Sequence, residues 1–263
     1  VAGVGFAALI AEVAGAVVGI VVAIRIARQM GAAAPLSDAL DWFKMKRSLG
    51  INTDLTIRAI GHYTAIIFFT AQGAAAGDVT LAANAILMTL IHIMVYLLDG
   101  FAFAAEALVG RSVGARDKAS FWRAVRMSTV WAGVLAAIIG SGLWFAGPAI
   151  IALTAKSAEV QAAAGAYLAW AALAPILGVW CFQLDGIFTG ATRTREMRNT
   201  MMLSIVPFFF AWWLLAPIIG NHGLWAAYML FYVARSASLL VFLPGLVRAS
   251  FPEPTPTSSV ERL

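Results

Sequence analysis

The sequence predicts an all-α polytopic membrane protein with seven transmembrane helices. Three observations carry that reading. Hydrophobic residues make up 62% of the 263 and charged residues 12%, about half the charged share of a soluble domain. Positions 79–98 run without Asp, Glu, Lys or Arg, enough helix to cross a hydrocarbon core about 30 Å thick. Lys and Arg also gather in alternate connections, as they do when alternate connections face the cytoplasm.

The first span covers residues 3–27. It starts inside an apolar run with neither Met nor a signal-peptide n-region, so the sequence reads as cut from something longer. The 28–50 connection holds Arg28, Lys44, Lys46 and Arg47, just after Arg25. Ser37 or Asp38 can cap a short amphipathic helix there, with Leu36, Leu40, Phe43 and Met45 among charges, lying on the inner leaflet. Span two is 51–73, and the 74–78 turn after it has no Lys or Arg. Span three, 79–108, leads into Arg111, Arg116, Lys118, Arg123 and Arg126.

Span four is 124–146, and the turn beyond it holds only Lys156. Span five, 160–191, is followed by Arg193, Arg195 and Arg198. Spans six and seven, 200–219 and 223–247, are joined by Gly220-Asn221-His222, and the 248–263 tail adds Arg248 and Arg262. All seven segments should be helices, because irregular backbone facing lipid leaves amides unpaired. The charge alternation puts Val1 outside and the C-terminus in the cytoplasm of an inner membrane. The proline-rich tail reads as disordered.

This pattern excludes several functions. The +5 net charge is spent on connections, so it reports orientation rather than nucleic-acid binding. Cys181 and three scattered histidines give no metal-ligand spacing. No catalytic residue, metal or cofactor is expected. A retinal protein needs a lysine in its last helix, and 223–247 has none.

Chemistry must then come from polar groups inside the spans, which are costly in hydrocarbon and therefore face a cavity or a partner. Asp99 and Glu106, in "LLDGFAFAAEALVG" (97–110), lie nearly two turns apart on one stripe. His92, Tyr96 and Asn84 extend that polar side. Asp185 follows Pro175 and Gly178, which favour a bend, and Gln183, Thr189 and Thr192 lie near it. These residues suggest a cavity wall for substrate or coupling ion, with Asp185 ranked first, Asp99 second and Glu106 third. A solvated or Arg111-paired Glu106 is the blander reading, and an Arg198 partner is the blander reading for Asp185. Asp54 and Arg58 are spaced i, i+4 in the favourable order and suggest a self-neutralising structural pair. His62 follows one turn deeper as a core histidine. Arg235, alone in span seven, needs a partner, and so does Glu12 in span one. "PFFFAWW" (207–213) reads as lipid-facing bulk. The strings "LLDGFAFAAEA" and "QLDGIFTGATR" also hint at a parallel repeat of two-helix units.

Four strings occur in family order: "LAANAILMTL", "LLDGFAFAAEALVG…GAR", "VWCFQLDGIFTGATRTREMRN" and "GNHGLW". Together they resemble the DinF branch of the MATE multidrug and toxic-compound exporters, from about Val4 to Arg248. The resemblance implies twelve helices in two lobes. Span one would be the sixth helix, ending the N-lobe, and 51–247 the six-helix C-lobe. The implied partners are the missing N-terminal lobe, the lipid bilayer, an H+ or Na+ coupling ion and a small organic substrate. The implied activity is antiport that exports amphipathic, often cationic, compounds. In this branch coupling is attributed largely to an Asp on the first helix, which this sequence lacks. Asp185 matches an acid on the tenth helix of the related NorM branch. The deep Glu of that branch has no counterpart in the apolar 65–69 segment, which weakens a Na+ site of that kind. The family commonly has Gln where Arg111 stands. A lipid-linked precursor flippase of the same superfamily competes with this reading, but away from the span ends only Arg58 and Arg235 are cationic. An intramembrane aspartyl protease would use Asp99 and Asp185 as a dyad.

Overall fold

The computed structural model describes residues 2–29 and 41–252. Ser37, Asp38 and the tail from 253 onward, to which the capped surface helix and the disordered tail were assigned, lie outside the described residues. The described residues form seven long helices: α1 Ala2–Gln29, α2 Trp42–Ala75, α3 Asp78–Gly114, α4 Lys118–Thr154, α5 Ala158–Gly190, α6 Thr194–Ile219 and α7 Asn221–Ser250. Among these residues the fold is all helical, as the sequence predicts.

Six of the helices are apolar and long enough to cross a membrane. The exception is α2. Its first part carries Lys44, Lys46, Arg47, Asp54 and Arg58, because the helix begins before its apolar stretch does. The described helix starts at Trp42, where the Asp41 carboxylate accepts from the Phe43 amide at 2.9 Å. The other helices also outrun the apolar segments. Helix α3 continues to Gly114 and takes Arg111 into its last turn, where a cation complements the helix C-terminus.

The chain divides into residues 1–50 and 51–263. Within the first unit, α1 is apolar over most of its length, broken by Glu12 and by the basic residues of its last turns.

In the second unit, helices joined by short turns run antiparallel. Most basic residues of the connections therefore collect at one end, the basic end, with Lys156 at the other. Helices α3, α4 and α5 pack against one another, α6 packs on α7, and α7 also meets α5. The parallel α3–α5 contact is the closest. A Cβ at Gly186 would press on the Ala102 carbonyl, and one at Gly190 on the Glu106 carbonyl. Glycines at i and i+4 let the two backbones approach, which is how membrane helices associate without a hydrophobic drive. The two Leu-Asp-Gly strings thus belong to helices that lie directly together. Helix α5 stays unbroken through Pro175.

The same core continues between α2, α6 and α7. Phe69 packs on Trp225 and Tyr228, and Phe68 meets Phe208, Phe209 and Trp212 edge-on. The "PFFFAWW" segment is therefore only half lipid-facing. Phe208 is fully buried while Phe210 and Trp213 are exposed, because 208, 211 and 212 share the inward side of α6.

Candidate functional site

A cavity of about 340 Å³ opens between α2, α3, α5 and α7. Its charged and titratable lining is Arg58, His62, Tyr63, Asp99, Glu106, Asp185 and Arg235. Each of the four helices contributes from the part where its small or polar residues break an apolar face.

Asp185 is the centre. Its Oδ2 accepts from Arg58 of α2 and from Arg235 of α7, the latter at 2.5 Å. Arg235 is 3% exposed and its guanidinium lies 5.6 Å from the centre of the Phe231 ring, a favourable cation–π placement. The Thr189 hydroxyl donates to the Asp185 carbonyl, 2.8 Å away, and so ties the helix turn below the carboxylate. His62 stacks on Phe231 with ring centres 6.3 Å apart. Three buried nitrogens are left without hydrogen-bond partners: Arg58 Nε, Arg235 Nη1 and His62 Nδ1.

Asp99 and Glu106 line the same cavity, half-buried. Among the described residues neither carboxylate makes a hydrogen bond or an ion pair. Two guanidinium cations thus face three carboxyl groups. With every acid ionised the cavity carries one negative charge in excess, and one bound proton or monovalent cation would balance it.

The structure brings together Asp185, Asp99 and Glu106 from the sequence-predicted set. It separates the rest. Asn84 is not on the cavity. It is 2% exposed and forms two amide–amide hydrogen bonds with Asn221, both 2.9 Å, and accepts from the Trp225 indole at 3.0 Å. It lies about four turns from Asp99 along α3, where it serves as a helix fastener. Tyr96 is 75% exposed and does not line the cavity. Gln183 is 1% exposed, points into the protein rather than the cavity, and leaves both amide atoms unpaired. At 100° per residue, positions 183 and 185 lie on nearly opposite sides of α5.

The expected Asp54–Arg58 pair does not form. Asp54, 6% exposed, instead pairs with Arg198 at 2.6 Å and accepts from the Thr194 hydroxyl at 3.1 Å. Arg58 goes to Asp185. Buried ions need partners with good geometry and extra hydrogen bonds, and α5 and α6 supply them where a neighbour one helical turn away does not. The same contacts remove the Arg198 partner suggested for Asp185, and Glu106 has no pair with Arg111.

Arg235 and His62 were missed as members of the site. The available signal was arithmetic: a lone arginine in span seven and a lone acid in span five each required a partner. An aspartyl-protease dyad is ruled out by the same geometry, since the Asp185 carboxylate is taken up by two arginines and Asp99 hydrogen-bonds nothing.

Comparison with known proteins completes the picture. Residues 60–213 match the MatE family. Over 239 residues, 91% of this chain, the sequence is 36% identical to DNA damage-inducible protein F of Escherichia coli. That alignment takes in 52% of the relative, so the chain spans about half the length of the curated relative it matches. The fold resembles the MATE transporter VcmN of Vibrio cholerae in its bent form, with a TM-score of 0.78 and 15% identity over 89% of this chain and 54% of that one. It also resembles a MOP superfamily transporter of Pyrococcus furiosus, described as having a binding pocket of reverse polarity that suggests a different function. There the TM-score is 0.69 and the identity 17%, over 75% of this chain and 44% of that one. On the strength of the family match, the chain belongs to the MatE family of membrane transporters, which are not enzymes.

Proposed function

We propose that this chain forms the C-terminal lobe of an antiporter that exports amphipathic, often cationic, organic compounds in exchange for H+ or Na+. In that reading α2 to α7 are the six-helix C-lobe, α1 closes the N-terminal lobe, and the basic end and C-terminus lie in the cytoplasm of an inner membrane. The observation that carries it is the charge balance of the cavity: two partnerless carboxylates, Asp99 and Glu106, beside the Arg58–Asp185–Arg235 triad. A proton on one of these acids neutralises the site, and a cationic substrate would compete for the same charge, so each drives the other out. Asp185 is the scaffold of this exchange. Asp99 is the proton carrier of first choice and Glu106 the second.

The test is transport by the whole transporter in proteoliposomes. A cationic dye should be driven by an imposed H+ or Na+ gradient, and the Asp99→Asn/Glu106→Gln double variant should lose that response. Gradient-driven export unaffected by the double substitution would sink the coupling scheme. Labelling of single cysteines at Ala76 from outside and at Lys118 from inside checks orientation.

One observation favours a second reading. Arg58 and Arg235, the arginines lying well inside their spans, converge on one cavity with spare N–H groups. A lipid-linked precursor flippase would use such groups to hold a pyrophosphate. Loss of pyrophosphate-lipid translocation in Arg58→Gln or Arg235→Gln, with dye export intact, would favour it.

A further inference from the structure

The cluster of cations where α3 turns into α4 plays no part in the exchange above. Arg111, Arg116, Lys118, Arg123 and Arg126 fall within 16 residues with a single acid, Asp117. Among the described residues none of the five cations forms an ion pair. Asp117 is already engaged. It caps α4, accepting from the Ser120 hydroxyl at 2.6 Å and the Ser120 amide at 2.9 Å. Those hydrogen bonds, the hydroxyl's first, hold its carboxyl below the usual carboxylate range.

Between the two helices lies a cleft of about 480 Å³, open to the surface. Arg111 and Arg123 stand on its two sides, one on each helix, and Leu108, Ala124 and Met127 form its apolar wall. Leu108 is 47% exposed and Met127 54%. This wall continues into an outward face of α4 that no other helix of the lobe covers: Val130, Trp131, Val134 and Ile138 are all exposed. Trp122, exposed beside Arg123, is the residue type that settles at the membrane–water boundary. Charge, then aromatic ring, then continuous hydrocarbon is the order in which a phospholipid presents its phosphate, glycerol and acyl chains.

We propose that the α3–α4 cleft is a binding site for an anionic phospholipid. Its phosphate sits between Arg111 and Arg123, and an acyl chain lies along Leu108, Met127 and the outer face of α4. Basic pockets between helices at the cytoplasmic surface suit such headgroups. The proposal does not depend on what the central cavity transports.

The experiment is native mass spectrometry of the full-length protein released from nanodiscs of phosphatidylglycerol and phosphatidylcholine in equal parts. Phosphatidylglycerol should be retained preferentially, and Arg111→Gln/Arg123→Gln should weaken its retention roughly 30-fold, at a factor of five or six for each cation. Arg126→Gln, which alters an exposed arginine outside the cleft, should leave retention unchanged. Equal loss with Arg126→Gln would show diffuse attraction to the basic surface and overturn the site. Met127→Glu places charge in the acyl wall and should displace the lipid while both arginines remain. Retention that survives it, or that free glycerol 3-phosphate abolishes by competition, would mean a soluble phosphate site and no lipid.

Discussion

Arg58 and Arg235 donate to the same carboxylate oxygen, Oδ2 of Asp185, from two different helices. A single acid therefore holds two cations inside an apolar lobe. Removing it leaves both uncompensated.

Asp185→Asn is accordingly expected to destabilise the fold as well as stop transport. Breaking a buried ion pair by deleting one partner costs about 3–5 kcal/mol, less here because the Arg58 side chain is 26% exposed. Thermal melting in detergent should show a marked fall. Arg235→Gln in the same protein should restore part of it, since it removes the stranded charge. If the single variant melts like the wild type, the triad is not a support.

Asp99→Asn has the opposite expectation. Its carboxylate has no partner to lose, so stability should stay within about 0.5 kcal/mol. Transport should become indifferent to an imposed proton gradient. A variant that keeps its proton response moves the coupling role to Glu106 or out of this lobe.

Gly186→Ala and Gly190→Ala should each destabilise the lobe. The added methyl meets the carbonyl of Ala102 or Glu106, and backbone yields only at a cost of about 1–3 kcal/mol. Gly133→Ala and Gly142→Ala on α4, where nothing lies within 4 Å of the new atom, should be neutral or gain up to about 1 kcal/mol from helix propensity. Comparing the four melting points separates helix contact from propensity. Equal behaviour in all four would contradict the close α3–α5 approach.

Asn84→Ala is expected to loosen the end of the lobe opposite the basic end. It strands the Asn221 amide and the Trp225 indole N–H together, and each stranded buried group costs about 1–3 kcal/mol. Hydrogen exchange at the start of α7 should rise, with transport affected only through stability. Loss of transport at unchanged stability would return Asn84 to the cavity.

The helices and their order were legible because hydrocarbon imposes length and composition on every span. The cavity acids were legible for a related reason: Asp99, Glu106 and Asp185 are too costly in lipid to be incidental. Partner choice was not. Asp54 and Arg58 are neighbours on one helix, yet each is claimed by a residue more than 120 positions away. Spacing along a helix cannot weigh such claims. Asn84 and Tyr96 fell on the polar stripe by residue type alone. Their depth and rotation on α3 decide that one fastens α7 and the other leaves the cavity.

Helices α3, α4 and α5 pack on one side of the lobe and the aromatic residues of α2, α6 and α7 on the other, and the α5–α7 contact joins the two into one core. Helix α5 meets α6 only slightly. Among the described residues, the ion pairs that bind α5 to α2 and to α7 both end on Asp185. That oxygen is one fastening among several: the Asn84–Asn221 and Trp170–His222 hydrogen bonds tie the same two sides at the far end. A charge arriving next to Asp185, on Asp99 or on a passenger in the cavity, would loosen this fastening alone and leave the glycine seam that keeps α3 and α5 in one piece.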